Sequence, residues 1–358
     1  MVAVAALAII AVVLVGSDTV TTLWPLLIVS VVAPVALELV LARRGAAPAQ
    51  PSITPVTAES TTPPPQQWAV PAPQPTADTP PAPAEWPAPA ADQVVQTIAP
   101  AALALGVQID VFQVQKSSVA PHQCEDAFAI DAAANRVAVS DGASSAFMSR
   151  EWAQELVSGF VSDTPGLSLP AVRTWVEART QQWAIKQQTA AASTAGDDWW
   201  SDASAARGSF ATLLGVQVDR TAEGLAWTSL AVGDSVLAQV RPTGDSVTLE
   251  RSFPIEGADA FDGDPELVAT LHASGTGALP SIRVAQGAIE PGDVLLLMTD
   301  ALAQWALRLH QAAQPVWRYL ATVEPGQLAA AVTSERSNGT IVDDDVTLLR
   351  LRFDGRDR

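Results

Sequence analysis

Four places along this 358-residue sequence set carboxylates at the ends of short apolar runs. Glu125-Asp126 precede Ala127–Ile130, and Asp141-Gly142 follow Arg136–Ser140. Asp300 ends Val294–Thr299, and Asp343-Asp344-Asp345 lead into Val346–Phe353. Apart from these, Asp234 in Ala-Val-Gly-Asp-Ser (231–235) reads as a turn residue. Carboxylates brought together at strand ends repel one another and lose hydration, a cost that a divalent cation between them offsets. An oxygen-only donor set selects Mg²⁺ or Mn²⁺ over zinc. The histidines, His122, His272 and His310, have no metal-ligand spacing, and the single cysteine, Cys124, excludes both a disulfide framework and a cysteine-built zinc site. Each motif also has a plainer reading. Asp141-Gly142 is a turn signal, Asp300 a helix cap, Asp234 a turn residue, and the other acidic groups solvated surface.

These residues need strands to carry them. Val107–Val114 alternates apolar and polar, as a strand with one buried face does. Ala127–Ile130, Arg136–Ser140, Val294–Thr299 and Val346–Phe353 read as further strands, with helices starting near Ser149 and at Ala301. Trp152 and Trp175 fall in helical patterns and are expected to pack on sheets. Asp197–Asp202 reads as an exposed loop with docking as its sharper alternative, and Ser252–Pro265 as a long loop near the mouth of the site.

The rest of the chain differs in composition. Residues 1–15 and 19–41 are almost wholly apolar and are followed by Arg43-Arg44. The second run has the length of a membrane span, and the basic pair after it predicts that the remainder of the chain is retained on the cytoplasmic side. No basic residue precedes the first run, which disfavours a secretory signal. The expected organisation is a membrane anchor over 1–44, with one or two helices at about 2–16 and 19–42. A disordered Pro/Ala-rich linker over 45–92 carries 14 of the 27 prolines, and one domain spans 93–358. A net charge of −18 excludes a nucleic-acid binder that relies on basic surface.

In order, Cys-Glu-Asp-Ala-Phe (124–128), Val-Ser-Asp-Gly-Ala-Ser-Ser (139–145), Ala-Val-Gly-Asp-Ser (231–235), Leu-Leu-Met-Thr-Asp (296–300) and Asp-Asp-Val-Thr (344–347) resemble the metal-dependent protein phosphatases of the PP2C (PPM) family, in its divergent bacterial branch. The resemblance covers roughly residues 105–353. It implies an α+β fold, a four-layer α-β-β-α sandwich with the metals at one end of two sheets. It implies two Mg²⁺ or Mn²⁺ ions, and a weaker third at Asp234. Asp141 would bridge both metals and Gly142 lend its carbonyl. Asp300 and Asp344 would complete one metal's shell, and Glu125 would bind the other with Asp126 beside it. A metal-bridging hydroxide would attack phosphorus without a phosphoenzyme, leaving Cys124 a small core residue.

The pattern departs from the family where an arginine often stands four residues before the metal glutamate. Here that residue is Pro121. Lys116 or His122 are the substitutes for binding the substrate phosphate, with a surface role the plainer reading of Lys116. The expectation is a membrane-tethered serine/threonine protein phosphatase acting in the cytoplasm on a phosphorylated protein, such as a kinase or its targets. The alternative is a catalytically silent domain of the same fold that binds phosphoproteins or a kinase.

Overall fold

The runs Val294–Met298 and Val346–Leu349 have no polar face because both of their faces are covered. In the computed structural model, which describes residues 96–353 except 118, 145, 195–207, 262 and 271–279, they are central strands of a sandwich. The described residues lie in the compact unit Asp78–Arg358. The expected membrane helices, the linker and the Asp197–Asp202 loop fall outside the described residues.

Strands β1 (Gln96–Ala102), β2 (Gln108–Val114), β3 (Ala127–Asp131) and β4 (Arg136–Ser140) precede helices α1 (Ser149–Asp163) and α2 (Leu169–Thr194). Then come β5 (Phe210–Ala211), β6 (Leu213–Thr221), β7 (Gly224–Val232), β8 (Val236–Thr243), β9 (Ser246–Phe253), β10 (Val268–Ala269), β11 (Arg283–Ile289) and β12 (Val294–Met298). Helices α3 (Asp300–Gln311), α4 (Val316–Thr322) and α5 (Pro325–Ser337) precede β13 (Val346–Arg352). A six-stranded sheet runs β1-β2-β13-β12-β8-β9, and a five-stranded sheet runs β11-β7-β6-β4-β3. Neighbouring strands pair antiparallel throughout.

Three apolar layers hold the four structural layers together. Between the sheets lie Ile109, Val111, Val137, Val139, Leu295 and Leu297. On the outer face of the larger sheet, Phe112, Leu296 and Leu348 meet Trp305, Leu320 and Leu328 of α3–α5. On the outer face of the smaller sheet, Ala138, Leu213 and Leu230 meet Trp152, Leu156 and Phe160 of α1, with Val172 and Val176 of α2. Successive side chains of a strand point to opposite faces, so β12 sends Leu295 and Leu297 inward and Leu296 and Met298 outward. Each fully buried Leu or Val contributes roughly 1.5–3 kcal/mol against the entropy of ordering the chain. This is the expected α-β-β-α arrangement. The indole of Trp152 is buried and donates to the Val268 carbonyl at 2.8 Å, and Trp175 packs edge-on against Phe160. Among the described residues no helix is long and apolar enough to cross a membrane.

Candidate active site

Strand direction brings the acidic motifs to one edge. Val114 at the end of β2 pairs with Val346 at the start of β13, and Leu348 pairs with Met298 at the end of β12. In the facing sheet Ala127 at the start of β3 pairs with Ser140 at the end of β4. Glu125-Asp126, Asp141-Gly142, Asp300 and Asp343–Asp345 therefore all leave the sandwich at the same end.

Local chemistry fixes each one. Asp126 is buried, and its Oδ2 accepts from Thr299 Oγ1 at 3.0 Å and Thr347 Oγ1 at 2.7 Å. The Thr299 hydroxyl also accepts from the Thr347 amide at 2.9 Å, which explains why this N-cap residue makes no side-chain cap to α3. Asp141 is held through its backbone: its amide donates to Thr212 Oγ1 at 2.9 Å and its carbonyl accepts from the Thr212 amide at 2.8 Å. Gly142 must be glycine, since a Cβ there would stand 2.9 Å from the Ser149 carbonyl group and 3.0 Å from the Glu125 carbonyl oxygen. Asp300 is the first residue of α3, with Thr299 at the N-cap, and its Oδ1 accepts the Ala301 amide at 2.6 Å, so it serves a free amide of the first turn from inside the helix and not as the cap.

The carboxyls of Asp126, Asp141 and Asp300 are each raised above the ordinary carboxylate range, Asp126 and Asp141 well above it. Burial is the main cause in all three. At Asp141 the negative charges of Asp126, Asp300, Asp344 and Asp234 add to it. At Asp126 the Thr347 hydroxyl works the other way, and Asp345 and Asp300 push up again. Asp300 is eased by the Ala301 amide and by a hydrogen bond with Asp141. Asp344 is also raised, again mainly by burial. These aspartates thus sense one another across four chain segments. Asp126 Oδ1 is buried with no hydrogen-bond partner.

The glutamate side is different. Glu125 Oε2 takes Lys116 Nζ at 2.7 Å and Ser144 Oγ at 2.5 Å, and its Oε1 takes Ser149 Oγ at 3.0 Å. The Lys116 ammonium also donates to Ser144 Oγ at 2.9 Å and lies 3.9 Å from Asp344 Oδ1. Lys116 is not the surface lysine its sequence context suggests: its side chain is 17% exposed and points into the acidic cluster. His122 is exposed at the rim, and its carbonyl accepts from Arg150 Nη1. Asp234 is buried on the β7–β8 turn, where Gly233 at φ 92° packs against Thr212. It lines a cavity of about 270 Å³ with Ile255, Glu256 and Arg283. The loop after β9 reaches that cavity, as expected of Ser252–Pro265, although Ser252 and Phe253 themselves belong to β9.

Other residues of the site escape a reading of motifs alone. Asp345 is 2% exposed, and its two oxygens accept the amides of Lys116 (2.8 Å) and Glu125 (2.7 Å). Arg336, from α5, donates to the carbonyls of Gln115 and Asp344. Thr299, Thr347, Ser144 and Ser149 position carboxylates. The run of three aspartates is the available signal for Asp345, and Ser144, Thr299 and Thr347 stand inside the acidic motifs; Ser149 lies outside them.

The donors Asp126, Asp141, Asp300 and Asp344 have the chemistry that a hard divalent cation needs: all oxygen, partly dehydrated, mutually repelling, with one oxygen unpartnered. Glu125 does not match, because its carboxylate already carries an ammonium and two hydroxyls. Among the described residues, no group of three or more His, Cys, Asp or Glu side chains is arranged to hold a metal ion.

Comparison with known proteins places this geometry in a family. Residues 118–333 match the family described as Protein phosphatase 2C. No curated protein matches the sequence. Among solved structures, the chain is similar to the Mycobacterium tuberculosis serine/threonine phosphatase PstP/Ppp (13% identity, 69% of this chain and 99% of that one, TM-score 0.43). It is also similar to the S. agalactiae serine/threonine phosphatase (15% identity, 68% of this chain and 98% of that one, TM-score 0.43). With its ordered acidic motifs on one edge of an α-β-β-α sandwich, and with the family's sequence profile spanning more than half its length, the chain belongs to the protein phosphatase 2C family.

Proposed function

We propose that this protein is a divalent-cation-dependent serine/threonine protein phosphatase, tethered to a membrane by its apolar N-terminal segment with the phosphatase domain in the cytoplasm. The observation that carries the catalytic part is the set of Asp126, Asp141, Asp300 and Asp344, gathered at the sheet ends with every carboxyl raised mainly by burial. The tether rests on the apolar runs before Arg43-Arg44 and the proline-rich stretch after them. The substrate class is a phosphorylated protein, with a kinase or its targets as partners.

Asp141, Asp300 and Asp344, with the Gly142 carbonyl, would hold Mg²⁺ or Mn²⁺. When bound, the cation supplies charge neutralisation at the phosphoryl oxygens and lowers the pKa of water. The chain's own groups do the rest. The aspartates would act on the phosphate only through the cation they hold, since by themselves they repel a dianion. Asp126 Oδ1, free of partners and with its other oxygen pinned by two threonines, can take the proton from the attacking water. The P–O bond to the serine or threonine oxygen breaks as water's oxygen bonds to phosphorus; the leaving oxygen takes a proton from solvent water, and Asp126 gives the proton it accepted back to solvent. His122 and Arg150 form the rim that meets the phosphate dianion in place of the arginine that Pro121 replaces.

A phosphopeptide assay with the full-length chain and Mn²⁺ tests this reading. Metal-dependent phosphate release that disappears in Asp141→Ala is expected; no release above that variant overturns it. The engagement of Glu125 by Lys116 favours a second reading, a silent phosphoprotein-binding domain. It predicts that wild type and Asp300→Ala bind a phosphopeptide alike while neither turns it over.

A further inference from the structure

The cluster is divided in a way its residue types do not announce. Asp126, Asp141 and Asp300 enter no ion pair among the described residues. Glu125, at the same edge, already carries three donors. Its Oε2 carries two donors, Lys116 Nζ and Ser144 Oγ, which is the capacity of a carboxylate oxygen, and Ser149 Oγ takes Oε1.

This pairing is built in. One buried carboxylate, Asp345, accepts the backbone amides of both Lys116 and Glu125, so a single group aligns the two backbones. The next residue, Ser117, is tied by its amide and hydroxyl to Asp343 Oδ1, each at 2.9 Å. The side chains of Lys116 and Glu125 are 17% and 19% exposed. An ammonium so placed, 2.7 Å from Glu125 and 3.9 Å from Asp344, has the position and sign of a bound cation. A divalent ion on Glu125 would have to displace it or sit against it in a poorly hydrated space, where like charges repel strongly.

We propose that Lys116 is a resident counter-charge that takes the place of a second cation, so that this centre loads one divalent ion, on the Asp141–Asp300 side, and not two. The inference rests on the reading of the acidic cluster as a cation centre, and it changes that centre's stoichiometry.

Titration of the full-length chain with Mn²⁺ alone, read by calorimetry and by electron paramagnetic resonance, tests it without any turnover. Wild type is expected to bind one Mn²⁺ per chain with the spectrum of an isolated ion. Lys116→Met is expected to bind two, with the broadening of a coupled pair, and Lys116→Arg to stay at one. Glu125→Gln is expected to hold its one ion within about threefold of the wild-type affinity, whereas loss of even an outer-shell partner typically costs about 10–100-fold. Circular dichroism establishes that each variant is folded; should Lys116→Met not fold, the arginine and glutamine variants still decide the question. Two ions on wild type, one on folded Lys116→Met, or a Glu125→Gln chain that loses its ion would overturn the proposal. Two ions on wild type would leave the cation-centre reading standing, whereas none at all on folded wild type would overturn both.

Discussion

Strand β12 has an aspartate beyond each end, Asp293 buried and Asp300 half-buried, and the two are treated in opposite ways. Asp293, before the strand, is fully buried and fully paired. It accepts Arg241 Nε at 2.7 Å, Arg241 Nη2 at 3.0 Å, Gln239 Nε2 at 2.7 Å and the Glu290 amide at 3.0 Å. Burial alone would raise its carboxyl, but the Arg241 hydrogen bonds and the others outweigh that and hold it below the ordinary range. Asp300, after the strand, has the Ala301 amide and the neighbouring Asp141, and is raised. The far end of the sandwich also has a cleft of about 630 Å³, lined by Leu105, Leu225, Ile289 and Phe353 together with Arg220, Glu223 and Glu290. Asp293 is balanced within the chain; Asp300 is left unbalanced, as the proposed cation centre requires. The proposed site rests on that charge imbalance and not on cleft volume.

The sharpest break of this comparison is at Asp141. Asp141→Ala should lower metal-dependent turnover by at least about 100-fold, as loss of a principal electrostatic group does. The same change should leave the metal-free melting temperature equal or higher, because it removes repulsion. Kinetics and a thermal melt check both halves. At the other end Asp293→Ala should cost roughly 3 kcal/mol by stranding Arg241, Gln239 and the Glu290 amide, and leave the turnover of the folded fraction unchanged. Urea unfolding together with an activity assay reads this.

Acid should then separate the two ends by sign. The carboxyls of Asp126, Asp141 and Asp300 are raised in the folded chain, so the folded state binds more protons than the unfolded one above the unfolded pKa of about 3.9. Their contribution therefore destabilises as pH rises from that value through the folded pKa. After chelation, the melting temperature should rise as pH is lowered from 7 toward 5, and saturating Mn²⁺ should flatten the slope. Asp293 works the other way: its contribution is present above about pH 3.9 and is lost as pH falls through its lowered folded pKa. Melts of wild type and Asp293→Asn between pH 5 and 2.5 should converge toward acid. The smallest effect is expected at Ser149→Ala, which removes one hydroxyl from Glu125 and should cost about 1 kcal/mol by thermal unfolding.

Much of the fold can be read from residue order. Arg136–Ser140 is a strand to the residue, and Val294–Met298 and Val346–Arg352 end within a residue of their apolar runs; Val294–Met298 has no polar position at all, because both of its faces are buried. The helix after β12 begins at Asp300, one residue earlier than its apolar pattern suggests, since the aspartate's own side chain takes the first free amide. The roles of Lys116 and Asp345 were not legible. A lysine nine residues before a glutamate has no periodic relation to it, and Asp345 is one of three adjacent aspartates whose different environments depend on contacts more than 200 residues away in sequence.

The sequence by itself determined which strands form and which carboxylates stand at their ends, because apolar runs and the charges that interrupt them are local properties. Only the tertiary structure decided which of those charges remain unbalanced. That depends on where antiparallel pairing delivers Lys116, Arg241 and the threonine hydroxyls, and Coulomb forces act across space without regard to chain order.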